Sequence, residues 1–444
     1  MSNRRKHEKT EYEKGLMSYH SLSDRHVLVF ETDMLHEDKI KTFHYADLER
    51  KAGNELLGLM KKKHDQLMRT KRYRKLKALY GKYKNADNEK MCKIIAGQLN
   101  EMCKQHDLTW DFCRKSMIPI GEKYKIGSLF ALTKAEDVWA AISDCLFSDG
   151  KDLHFKKRGD LPGIRAKQLN RGIILNVENN ELCFKFGDIK FSPLIEDDFQ
   201  KREVDLILKY LKNPGLMDKT AVNTLLEEGT CIDTYRPCYA TLVCKKIRGK
   251  MRVYLHLTIE GHAVMKLDRN GNPRHSYGKG LIGCDIGTQT IAYTSDTDVG
   301  LKNLAERGPS ILENERKERL LLRAMDRSKR AMNPDNYNSD GTIRKGRKKW
   351  TWSNRYRKLK ARHSELCRIN AINRHLSINE DVNHIRELGD VFITEPKNSA
   401  KLQKRARKTT VNDKGRYNKK KRFGKSIKTD APDIFRNRLR KNSR

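Results

Sequence analysis

The run from Gly280 to Thr294, GLIGCDIGTQTIAYT, constrains this chain more than any other stretch. Leu281, Ile282 and Cys284 make a short apolar segment that predicts a buried strand, and Asp285 closes it. Gly287 then lets the chain turn sharply, and Ile291 to Tyr293 supply an apolar hairpin partner. A carboxylate fixed at the end of a central strand is a good first ligand for a hard divalent cation, and the adjacent glycine leaves room for metal or phosphate. The bland alternative is that strand, acid and glycine make only a turn.

A second acid stands in the same setting far down the chain. Asp390 to Pro396 reads DVFITEP, a short apolar strand closed by Glu395, directly after Gly389 ends a long helical pattern over about 353–388. Leu366, Ile369, Ile372 and Leu376 stripe one face of that helix, and another helix is expected over about 311–332. Two acids at neighbouring strand ends can share a pair of magnesium ions, which activate water and stabilise the leaving oxygen in phosphodiester cleavage.

Charge says what such a site would act on. Lys and Arg number 94 against 57 acids, a formal +37 with a pI near 9.8. An excess this large repels itself unless a polyanion neutralises it, and nucleic acid is the natural candidate. No apolar stretch is long enough to span a membrane, and the opening MSNRRKHEKTEYEKG lacks the apolar core of a signal peptide. A soluble, cytoplasmic protein with no membrane partner is therefore expected. The ten cysteines contain no Cys-x-x-Cys pair, and zinc is not expected; they read as reduced thiols.

The pattern divides the chain in three. His26 to Thr32 is a strand candidate within 1–44, and 45–149 is helical, with Lys71, Arg72, Arg74, Lys75 and Lys77 on the surface. The region 150–275 turns to strands. Gly172–Val177 and Leu182–Phe186 flank the turn Glu-Asn-Asn-Glu, and Tyr239–Cys244 pairs with the alternating segment Met251–Ile259. The expected product is a small antiparallel β-barrel built from 1–44 and 150–275 and interrupted by the helical insert, so that the whole is an α+β multidomain chain. Nucleic-acid contacts are expected from the loop Lys156, Lys157, Arg158, from Arg347, Lys348, Lys349, Arg355 and Arg357, and from the terminal segment (Lys404, Arg405, Arg407, Lys408, Lys420, Lys421, Arg422). That segment, 397–444, holds 19 Lys or Arg and three acids, which predicts disorder without a polyanion.

Order and spacing together resemble TnpB, the transposon-encoded RNA-guided nucleases from which compact type V effectors descend. Gly283-Cys-Asp-Ile-Gly287 is similar to the first RuvC motif of that family, Val391-Phe-Ile-Thr-Glu395 to the second, and Phe155-Lys-Lys-Arg-Gly159 with the following hairpin to its wedge barrel. The resemblance implies an RNase H-like (RuvC) domain over 276–444, and Asp285 and Glu395 as catalytic magnesium ligands. It further implies a helical recognition lobe, a bridging helix before Glu395, and guide RNA and target DNA as partners. The family continues through a zinc ribbon to a third acid. Here Asp430, shortly after Glu395 and with no zinc ribbon between, reads as a helix-start acid. The RuvC-like domain is therefore expected to be incomplete and cleavage lost or reduced. A nuclease-inactive RNA/DNA-binding protein and a transposase accessory protein remain open. Asp285-Ile-Gly-Thr also resembles the phosphate turn of actin-like ATPases, but that turn normally sits near a chain start. A cut-and-paste transposase would need a further strand-end acid, and Asp296 and Asp298 stand too close to Asp285 for it.

Overall fold

A computed structural model describes residues 25–148, 150, 152–212, 234–261, 264, 266–276, 278–304, 309–395, 411, 427 and 431–441. Two compact units divide the chain, Met1–Val264 and Met265–Arg444. The whole is a mixed α+β protein with several sheets. No helix among the described residues is long and apolar enough to cross a membrane.

In the first unit, strand β1 (Arg25–Thr32) leads into helices α1 (His36–Arg69), α2 (Lys71–Asn85), α3 (Glu89–Gln105), α4 (Trp110–Lys123) and α5 (Ser128–Phe147). The chain returns as β2 (Ile164–Arg165), β3 (Ile173–Glu178), β4 (Glu181–Phe186), β5 (Ile189–Phe191) and β6 (Pro193–Leu194), then α6 (Asp198–Lys212), β7 (Arg236–Ile247) and β8 (Lys250–Glu260). The described pairings give a five-stranded sheet, β2-β7-β8-β1-β6, and a three-stranded meander, β3-β4-β5. β1 lies antiparallel on β8 with Leu28 opposite Leu257, so the helices are inserted between sheet neighbours.

The turns follow their residues. Asn179 and Asn180 both take positive φ (50° and 65°) between β3 and β4, the conformation a tight hairpin demands and asparagine tolerates. Arg248 and Gly249 (51° and 81°) do the same between β7 and β8. One core joins sheet and helices: Phe30, Leu242 and Leu255 meet Leu56, Met60 and Ile142, all 1% exposed or less. Each such side chain stabilises by about 1.5–3 kcal/mol relative to exposure. Helix α6 differs from the strand-rich expectation for 150–275. Val204, Ile207 and Leu208 bury one helical face there, a helical period inside a strand-rich region.

The second unit centres on a four-stranded sheet, β11-β10-β9-β12, made of β9 (Leu281–Ile286), β10 (Thr290–Thr294), β11 (Val299–Asn303) and β12 (Val391–Thr394). Helices α7 (Pro309–Met332) and α8 (Asn354–Leu388) lie between β11 and β12 in sequence, and α9 (Pro432–Lys441) follows. One sheet face packs Ile282, Cys284, Ile286, Ile291 and Tyr293 against Ile378, Val382 and Ile385 of α8 and Phe435 and Leu439 of α9. The expected stripe on α8 is therefore displaced. Ile372 and Leu376 are exposed, because the sheet covers only the C-terminal part of the helix. The terminal segment also departs from expected disorder at α9, where Phe435 and Leu439 are buried in this core and Ile434 packs against it.

Candidate nucleic-acid and metal-binding site

Strand register brings the two strand-end acids together. β9 and β12 are parallel neighbours, with Thr394 opposite Cys284, so Glu395 stands one residue on, level with Asp285. Alternation along β9 buries Ile282, Cys284 and Ile286 and leaves Asp285 exposed on the other face, where the register also puts Glu395. Exposed Leu281, Val391 and Ile393 share that face.

What sets this register is the junction of α8 and β12. The Gly278 N–H donates to the Arg386 carbonyl (2.9 Å), closing the helix end. The Asp390 carboxylate accepts from Gly280 N–H (3.0 Å), and the Asp390 and Val391 N–H groups both donate to the Gly280 carbonyl (3.2 and 3.1 Å). Gly389 is in extended backbone (φ 175°), so no left-handed turn ends the helix. Its role is close approach: a Cβ there would stand 2.6 Å from the Gly280 carbonyl oxygen and 2.9 Å from Ile282 Cγ1.

Among the described residues no third acid joins the pair in a cluster of ligand atoms; the sole cluster of three or more His, Cys, Asp or Glu within 4.8 Å of one another is Glu318, His363 and Cys367. Asp298 accepts the Tyr293 hydroxyl (3.1 Å), which also contacts His384 Nε2 (3.2 Å). Asp430 lies outside the described residues, as do Lys404, Arg405, Arg407, Lys408, Lys420, Lys421 and Arg422.

The basic loop of the first unit is held by its backbone, leaving Lys157 and Arg158 exposed. The Asn54 side chain on α1 donates to the Lys156 carbonyl (2.8 Å) and accepts from its N–H (2.9 Å). Lys157 to Asp160 form a turn closed by Asp160 N–H to the Lys157 carbonyl (3.0 Å), with Gly159 at φ 96°. Desolvation of the ammonium, and the Lys134 ammonium nearby, hold Lys156 below the usual lysine range although the residue as a whole is exposed.

The segment between α7 and α8 is more built than its turn-rich sequence implies. Asn333, 5% exposed, donates to the Lys329 and Thr351 carbonyls (2.8 and 2.9 Å) and accepts from Thr351 N–H (2.7 Å). Asn336 donates to the Lys349 carbonyl (2.8 Å) and Arg344 to the Tyr337 carbonyl (2.9 Å). Ser353 caps α8 by accepting from Tyr356 N–H (3.0 Å). This frame holds an aromatic ladder: Trp350 stacks on Trp352 (centroids 6.1 Å, 14°) and Trp352 on Tyr356 (4.4 Å, 24°), with the Lys329 ammonium 4.1 Å over Trp350. Arg347, Lys349, Arg355 and Arg357 are exposed around it, and Lys348 is half-buried, its ammonium donating to the Gly346 carbonyl (2.8 Å). Aromatic faces beside cations suit single-stranded nucleic acid, whose bases stack while phosphates meet charge. Trp350, Trp352 and Tyr356 lie outside the contacts expected from the cations, and their signal in the sequence is a W-x-W-x3-Y spacing beside a basic run.

No protein-family profile and no curated protein matches the chain. Among solved structures, it is similar to a chain in the cryo-EM structure of the Cas12f1-sgRNA-target DNA complex. The identity is 9% and the TM-score 0.40, over 95% of this chain and 88% of that one.

Proposed function

We propose that this chain is a TnpB-like protein that binds a guide RNA and a target DNA, and that Asp285 and Glu395 are the two strand-end ligands of a RuvC-like magnesium site. The observation that carries this reading is the parallel β9–β12 register, which levels two exposed carboxylates on one sheet face although two long helices intervene in sequence. Their oxygen donors fit a hard cation. Magnesium, when bound, supplies charge neutralisation and water activation for phosphodiester cleavage. Asp285 and Glu395 would orient the scissile phosphate between the strand ends, Lys157 and Arg158 would meet backbone phosphates, and the Trp350–Trp352–Tyr356 ladder would stack unpaired bases.

In this reading the sheet of the first unit, with 1–44 and 150–275, is the wedge-like barrel and 45–149 the recognition lobe; 276–444 is the RuvC-like domain. Asp285 and Glu395 by themselves would leave one cation of a two-metal site under-liganded, and among the described residues no third acid joins them, so we expect weak or no cleavage. Losing even a few kcal/mol at the transition state costs orders of magnitude in rate.

The test is a magnesium-dependent cleavage and binding assay with RNA transcribed from beside the gene's 3′ end and a matching DNA target. It compares the chain with its Asp285→Ala, Glu395→Ala and Asp430→Ala variants. Guide preference over unrelated RNA of equal length, with little cleavage in any variant, is the expected result. Robust cleavage abolished by all three changes would make Asp430 the third ligand and the site complete. Equal binding of guide and unrelated RNA would overturn the guided reading.

A further inference from the structure

We propose that Glu318, His363 and Cys367 form a binding site for a borderline-soft divalent cation, zinc by its donor chemistry, which fastens α7 to α8. The three come from two helices. Glu318 projects from α7, and His363 and Cys367, one helical turn apart, share one face of α8. The helices run antiparallel, since Ser328 meets Ser353 (2.8 Å), Glu318 meets His363 and Asn314 meets Asn370 (2.9 Å) in opposite order along the two.

The distances are those of a coordination polyhedron. Zinc bonds of about 2.0 Å to nitrogen and oxygen and about 2.3 Å to sulfur set a tetrahedral N···O edge of about 3.3 Å and an N···S edge of about 3.5 Å. His363 Nε2 lies 3.4 Å from Glu318 Oε1 and 3.7 Å from Cys367 Sγ, and all three ligand atoms are within 4.8 Å of one another. An imidazole, a thiolate and a carboxylate select zinc or cobalt over magnesium or calcium, which prefer oxygen alone. Binding would release the Cys367 thiol proton, and thiolate and carboxylate together would balance the dication. The fourth position would be left to water.

This site is distinct from the strand-end carboxylates. Cys367 precedes the helix end at Leu388 by about six turns, roughly 30 Å along the axis. A ligand set split between two helices has no Cys-x-x-Cys signature, so the cysteine spacing alone points away from zinc.

The experiment titrates zinc into the chelator-treated full chain against a chromophoric competitor, and repeats the titration with cobalt. Cys367→Ser is the leading variant because Cys367 is exposed and the change leaves packing intact; His363→Ala, Glu318→Gln and a control, Cys92→Ser, accompany it. One tight equivalent is expected, with a thiolate-to-cobalt charge-transfer band that Cys367→Ser removes and Cys92→Ser retains. Affinity should fall about tenfold or more in His363→Ala and Glu318→Gln, and zinc should raise the melting temperature only where all three ligands are present. A cobalt spectrum unchanged in Cys367→Ser, or no tight equivalent in the parent chain, would overturn the proposal.

Discussion

Glu49 on α1 shows how one residue can tie stability to pH. It is 1% exposed, with the Lys134 ammonium of α5 in ion contact at 3.3 Å. Burial pushes the Glu49 carboxyl up to about 7, against the opposing pull of Lys134. The folded pKa lies above the unfolded value of about 4.5, so the folded state holds this proton more tightly. Its stabilisation is full below about pH 4.5 and is lost as pH rises through about 7. We expect the stability difference between the parent and Glu49→Gln to change by on the order of 2–3 kcal/mol between pH 5 and 8.5, the parent losing ground at the higher pH. Denaturant melts at both pH values measure it, and parallel profiles for the two proteins would contradict it.

At the scale of elements, the α8–β12 junction holds the register that sets Glu395 level with Asp285. Gly389→Ala places a methyl within contact distance of the Gly280 carbonyl and Ile282. It should destabilise the second unit by about 1–3 kcal/mol through local overpacking. Exchange protection of β12 amides should fall further than that of β10, and uniform loss across the sheet would argue against a junction effect. The elements themselves were largely legible in sequence. β7 and β8 alternate cleanly, β9 and β12 are apolar runs closed by acids, and Ser353 and Gly389 bracket α8 as the pattern implies. What stayed hidden needs tertiary pairing. The displaced stripe on α8 depends on where the sheet lies, and the Glu318–His363–Cys367 group on the α7–α8 register. The aromatic ladder depends on the Asn333 and Asn336 bonds that order its loop. Periodicity reports which face is apolar; it does not report which neighbour arrives.

For the whole molecule, +37 makes salt the controlling variable. Under the proposed function, RNA affinity should fall about 10³-fold or more between 50 and 200 mM salt, if six or more phosphates are neutralised. Lys349→Ala should lower the logarithmic salt slope by about one, whereas Trp352→Ala should cost about 1–3 kcal/mol at every salt concentration and leave the slope unchanged. Fluorescence-anisotropy titrations over a salt series separate the two, and identical slopes for Lys349→Ala and the parent would exclude Lys349 as a phosphate contact.

The parallel pairing of β9 with β12 also governs timing. Leu281 and Val391 are register partners with two long helices between them in sequence. Contacts so distant along the chain form slowly, because the loop they close must be ordered first. At about 5–20 residues per second, a ribosome spends roughly 5–20 s between Asp285 and Glu395. The β9–β10–β11 meander and the α7–α8 hairpin are local and can form in that interval. During synthesis the chain therefore carries Lys157, Arg158 and the ladder before Asp285 and Glu395 can stand level; under the proposed function, its nucleic-acid-binding groups emerge before its metal ligands are assembled.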